Sequence, residues 1–177
     1  MLFKDYGLVK GKVFDSWRRT GSAMQAIKVY NLREVDELIF LDITATKQKR
    51  GPDIRQIDEL ADECFMPMTV GGGIKTIKDI SDLLSVGADK VAINTACYQN
   101  PNLISEAAKE FGTQCIVISI DVRKIENYKW QLYSQCGNKI ENLKPLDWAK
   151  EVEQRGAGEI LLTSIDKDGT MEGYDVE

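Results

Sequence analysis

The chain has 177 residues, 43% of them hydrophobic and 29% charged, with a formal net charge of −5. That length supports one domain with a sizeable core, and an acidic balance without basic runs argues against nucleic acid or a membrane as the main partner. The chain has no histidine, which removes Ser-His and Cys-His nucleophile pairs and His-ligated metals and leaves acid-base work to carboxylates, Lys, Cys or Tyr.

No run approaches the roughly 20 apolar residues of a membrane span. The first ten residues lack the apolar core and small-residue cleavage site of a signal peptide. Cys64, Cys97, Cys115 and Cys136 are widely spaced and form no CxxC pair, the pattern of reduced thiols in a cytoplasmic protein.

In chain order, residues 22–35 read as a helix with Ala23, Ala26, Ile27 and Tyr30 on one face, and 37–43 as a buried strand. Residues 53–64 form a second helix carrying Ile54, Ile57 and Leu60. A strand follows at 66–70, where Pro67 is tolerable at the start. Thr76 caps a helix that buries Ile77, Ile80, Leu83 and Leu84. Residues 89–94 are a strand, 102–111 a helix and 115–120 a strand. The stretch 122–141 is too long for a plain βα link, and its alternation over 130–136 followed by Gly137-Asn138 predicts a hairpin over one end of the sheet. Pro145 opens a helix over 145–155, and 159–164 is the fifth strand.

The strand runs are too continuous for sheets wet on one face, and their alternation with amphipathic helices predicts a parallel α/β fold. Charged residues precede three strands, and polar residues lie at the far ends of four: Asp42 and Thr44, Asn94 and Thr95, Asp121, and Asp166 and Asp168. Polar C-terminal strand ends are where a (β/α)8 TIM-type barrel builds its active site. A doubly wound sheet is the alternative, although no GxGxxG follows the first strand.

Four groups of residues carry chemistry. Val70-Gly-Gly-Gly-Ile74 lies between a strand and the helix at Thr76, where free backbone and a helix N-terminus can cradle an anion. The bland reading is a tight turn. Asn94-Thr95-Ala96 can complete that cradle or simply cap the next helix. Asp166 and Asp168 invite a metal, but the ligand series of an EF-hand is missing, and a substrate loop presenting the Asp168 carboxylate and a free N–H at Gly169 is preferred; no metal or cofactor is expected. A desolvated Asp121 can serve as acid or base; the plainer reading is a cap or a partner of Arg123.

With these residues in view, the sequence resembles the cyclase subunit of imidazole glycerol phosphate synthase. The likeness is carried by Leu41-Asp-Ile-Thr-Ala45, Thr69-Val-Gly-Gly-Gly-Ile74, Gly87-Ala-Asp-Lys-Val91, Ile93-Asn-Thr-Ala96 and the long run from Arg155 to Thr170. The resemblance implies that ammonia from a glutaminase subunit passes through the barrel and reacts with a bisphosphorylated formimino ribonucleotide. The products are imidazole glycerol phosphate and aminoimidazole carboxamide ribotide. It implies a phosphate site at Gly73, Asn94 and Thr95, part of a second at Asp168 and Gly169, and a mobile first loop carrying Lys10. Asp121 matches one of two catalytic aspartates. The other position is held by Leu2, since Asp5 matches a turn residue. Glu37, Lys90 and Glu159 match three of four residues gating the ammonia channel, and Asp89 matches a residue facing the glutaminase. A solvated salt-bridge cluster is the plainer reading of these four.

Leu2 makes a second assignment necessary: a cyclase-like paralogue that passes ammonia to a sugar amidotransferase without cyclising. A third is a docking module without catalysis. Family barrels have about 250 residues, so the expectation is a single partial barrel over 1–177 with about six of eight strands, starting inside its first strand. An open barrel has exposed strand edges that favour self-association.

Overall fold

A computed structural model describes residues 1–125 and 129–176. Ten strands form one sheet among the described residues. They are β1 (Leu2–Lys4), β2 (Gly7–Lys12), β3 (Asp15–Gly21), β4 (Leu38–Asp42), β5 (Met68–Gly71), β6 (Lys90–Ile93), β7 (Ile116–Ile125), β8 (Lys129–Ser134), β9 (Lys139–Glu141) and β10 (Glu159–Ser164). The helices are α1 (Ala23–Leu32), α2 (Ile54–Ala61), α3 (Ile77–Ser85), α4 (Thr95–Gln99), α5 (Asn102–Phe111) and α6 (Pro145–Gln154).

Six strands run parallel in the order β1-β4-β5-β6-β7-β10, each new strand joining the same side as the last. A doubly wound sheet would reverse direction at a switch point. The monotonic order is that of a (β/α)8 barrel, and the fold class is α/β. Apolar residues on the outer strand faces, among them Phe3, Phe40, Met68, Val91, Ile116, Ile118 and Ile120, are buried with Ile27, Ile57, Ile80, Leu83 and Ile104 of the helices.

Local sequence accounts for the helix starts. Asp53 accepts the Gln56 N–H at the head of α2, Thr76 and Asp79 form a reciprocal capping box on α3, and Pro145 occupies the first turn of α6. The 122–141 insertion is antiparallel, as its alternation predicts. β7 runs on past the barrel and pairs with β8, which pairs with β9 around Gln135–Asn138. Residues 126–128, inside that predicted hairpin, lie outside the described residues.

The segment implied to be a mobile first loop holds the hairpin β2–β3, with Lys10 in strand pairing opposite Arg18. Its turn is made by Val13 and Phe14, both at positive φ. The five-residue α4 was not anticipated. β10 is not a fully buried strand: among the described residues it pairs only with β7, and Ile160 and Leu162 on it are 42% and 66% exposed.

Candidate active site

A cavity of about 360 Å³ opens at the C-terminal ends of the parallel strands. Its wall uses alternate positions, including Leu2, Ile39, Leu41, Ser119, Asp121, Leu161 and Thr163. Their neighbours on β4 and β7, Leu38, Phe40, Ile118 and Ile120, are in the outer core. The period-two geometry of a strand therefore turns Asp121 inward.

Asp121 is buried, and burial pushes its carboxyl up to about 7. A hydrogen bond from the Thr163 hydroxyl opposes that rise, and the Asp168 carboxylate adds to it. Thr163 lies directly across the β7–β10 ladder from Asp121. The Asn94 amide donates to Asp121 Oδ2 at 3.0 Å and to the Ser119 carbonyl at 3.1 Å. An acid held half-ionised near neutral pH can both give and take a proton. Arg123 does not pair with Asp121, since it lies 3.2 Å from Asp166. Asp166 also accepts the Lys124 N–H at 2.9 Å, so its carboxylate closes the loop after β10.

The Gly71–Gly73 loop packs against the loop after β4. Gly73 has φ +76, and a Cβ there would stand 2.7 Å from the Arg50 carbonyl oxygen. Asp42 holds that neighbouring loop by accepting from Thr44 and Ala45 N–H groups and by a 2.5 Å ion pair with Arg50. At the start of α3, expected to offer N–H groups to an anion, the capping box engages some of them: Thr76 Oγ1 accepts the Asp79 N–H at 3.1 Å. Asp79 Oδ2 accepts the N–H groups of both Lys75 and Thr76 at 2.9 Å. The Thr95 hydroxyl is also engaged, contacting Asn94 Oδ1 at 3.4 Å and accepting the Gln135 N–H at 3.0 Å. Asn94 and Thr95 line the cavity with Gly73, with their side chains already partnered.

Asp168 reaches this cavity and also a second one shared with Lys10 and Gly169. The β2–β3 turn is tied to that loop: the Val13 N–H donates to the Asp168 carbonyl at 2.8 Å, and the Phe14 N–H to its carboxylate. Burial raises the Asp168 carboxyl, and the Phe14 bond opposes this. Lys10, Asp168 and Gly169 are thus brought together, while Lys10 stays outside the cavity of Asp121.

At the opposite end of the strands, the Lys90 ammonium lies 2.5 Å from Glu159 and 3.3 Å from Glu37. The Glu159 hydrogen bond raises the Lys90 pKa most, followed by the partly opposing burial and then Glu37. Asp89 beside it accepts the Met68 N–H at 2.7 Å and so fixes the β5–β6 register. No group of three or more metal-ligating side chains is found among the described residues. No helix among them is long and apolar enough to cross a membrane.

Sequence reasoning passed over Thr163, Arg50 and Lys47, and named Cys136 only as a reduced thiol. Thr163 was reachable from inward parity, since it stands one strand over from Asp121 at the same height. Cys136 was not: its thiol reaches the Ile43 carbonyl at 3.4 Å across a separation of 93 residues.

The family model described as "Histidine biosynthesis protein" matches residues 4–177. The imidazole glycerol phosphate synthase subunit HisF of Hydrogenobaculum sp. (strain Y04AAS1) is 48% identical over 174 residues, covering 98% of this chain and 69% of that protein. The subunit of the same name from Dictyoglomus thermophilum is 48% identical over 170 residues, covering 96% of this chain and 68% of its own. This chain therefore belongs to the histidine biosynthesis protein family, alongside the HisF subunits of imidazole glycerol phosphate synthase.

Proposed function

We propose that this protein is the ammonia-dependent cyclase of imidazole glycerol phosphate synthase, a lyase of histidine biosynthesis working in the cytoplasm with a glutaminase subunit. The observation that carries this reading is the placement of Asp121: buried, raised to about 7, and facing a cavity rimmed by Gly73 and Asn94. One phosphate of a bisphosphorylated formimino ribonucleotide seats near Gly73, Asn94 and Thr95. The other seats toward Asp168 and Gly169, with Lys10 beside them. Asp121 moves the proton as ammonia adds and the imidazole ring closes. Glu37, Lys90 and Glu159 gate ammonia at the strand bases, and Asp89 faces the glutaminase.

The test is turnover of that ribonucleotide with ammonium salt as nitrogen donor. Replacing Asp121 by Asn should lower the rate by about 10²- to 10⁴-fold, the usual weight of one general acid-base group. An unchanged rate removes Asp121 from the mechanism.

A second reading is favoured by Leu2, which places a hydrocarbon side chain in the wall shared with Asp121. In that reading the barrel conducts ammonia to a sugar amidotransferase and does not cyclise. Leu2→Asp separates the two. If cyclisation is absent in the parent and appears in Leu2→Asp, the conduit reading stands. Full turnover in the parent removes it.

A further inference from the structure

β3 carries one bulky residue that its solvent-facing pattern does not explain. Six of its seven residues are exposed, and Trp17 alone is half-buried. Between Lys10 and Lys12 the β2–β3 register slips, so that Ser16 and Trp17 together oppose the single residue Gly11. Ser16 takes up the extra length at a φ of +53, in the left-handed region. A bulge of this kind re-aims the side chain beside it. Here it turns the indole into the wall of the Asp121 cavity, next to Phe14 of the β2–β3 turn. Gly11 is the seat on which the indole rests: a Cβ there would stand 2.5 Å from Trp17 Cε3 and 2.9 Å from Cη2. A strained residue and a missing side chain thus combine to hold one ring in one place. The Lys4 ammonium lies 6.0 Å from the ring centroid. That is the outer limit of a cation–π contact, a weak hold that a stacked group can replace.

We propose that Trp17 is a specificity-determining residue of this cavity, the platform on which the flat aminoimidazole carboxamide ring of the ribonucleotide stacks. The identity of the ring rests on the cyclase reading above; the platform itself is a feature of β3. An indole stacks on any π-face, whereas a phosphate gains nothing from it. The same cavity offers hydrocarbon at Leu2, Ile39 and Leu41 and a proton-transfer group at Asp121. A planar group with apolar faces and hydrogen-bonding edges suits that combination.

The experiment is calorimetric titration with aminoimidazole carboxamide ribotide and, separately, with ribose 5-phosphate, which has the same sugar phosphate without the ring. Trp17→Leu should weaken ribotide binding about ten-fold, the weight of one base stacked on an aromatic side chain. It should leave ribose 5-phosphate unchanged. Trp17→Phe keeps a π-face and should retain most of the ribotide affinity. Gly11→Ala pushes the indole off its seat and should reproduce the ring-selective loss with the tryptophan still present. Absence of ribotide binding in the parent, equal ribotide affinity in Trp17→Leu and the parent, or equal losses for both ligands overturns the proposal. Ring-selective binding without turnover of the formimino ribonucleotide retains the platform and removes the cyclase reading. Turnover whose KM is the same in Trp17→Leu and the parent retains the cyclase and removes the platform.

Discussion

Thr163 faces Asp121 across the β7–β10 ladder and donates its hydroxyl hydrogen to the aspartate carboxylate. This bond and the Asn94 amide both favour the charged form, whereas burial favours the neutral one. The two strands are distant in sequence, so the pair exists only because the parallel register places both residues at one height. Thr163→Val keeps the shape and removes the donor. The Asp121 carboxyl should then titrate about one unit higher, because a hydrogen bond to a charged group is worth on the order of 1.5 kcal/mol. Carboxyl-carbon NMR titration checks this, and an unshifted midpoint would falsify the role given to Thr163.

Asp121 also makes stability depend on pH in a defined direction. Its folded-state pKa of about 7 lies above the ordinary 3.8. Between those values the folded protein binds the proton more tightly than the unfolded chain, so this residue's contribution to stability falls as pH rises from about 4 to about 7. Asp121→Asn removes that slope. The variant should be more stable than the parent at pH 8 by about 2 to 4 kcal/mol, with the gap closing toward pH 4. Urea melts at the two pH values measure it; a gap independent of pH would mean that Asp121 is not perturbed.

Gly73→Ala tests whether the glycine loop is shaped by packing. The new methyl would sit 2.7 Å from the Arg50 carbonyl oxygen and 2.9 Å from Ala45 Cβ, at a φ of +76. Backbone strain of this kind costs about 1 to 3 kcal/mol, read as a lower urea midpoint at unchanged slope. A midpoint equal to the parent's would mean that the two loops separate freely.

Lys90→Met tests the strand-base cluster. Its glutamate partners are about half exposed, so the loss of stability should stay below about 1 kcal/mol. With a glutaminase subunit present, glutamine-dependent turnover should fall more than ammonium-dependent turnover. Equal losses in both assays would assign Lys90 to stability rather than to passage of ammonia.

The sequence by itself determined the order of the strands and main helices from residue 22 onward, the cap of α3, the start of α6 and the place of Asp121 at the end of a strand. Each of these depends on neighbours within a few residues or on the two-residue period of a strand. The alternation of apolar runs with amphipathic helices also identified the α/β class. Only the tertiary structure decided which polar groups remain available. Asp79 takes up the Lys75 and Thr76 N–H groups just before α3, and the side chains of Asn94 and Thr95 are committed across the sheet and to the β8–β9 turn. The same is true of Lys10, placed in a hairpin strand and outside the lining of the Asp121 cavity. Hydrogen-bond partners at separations of 25 to 93 residues, such as Asn94–Asp121 and Cys136–Ile43, follow from strand register and loop packing, which no local pattern in the chain encodes.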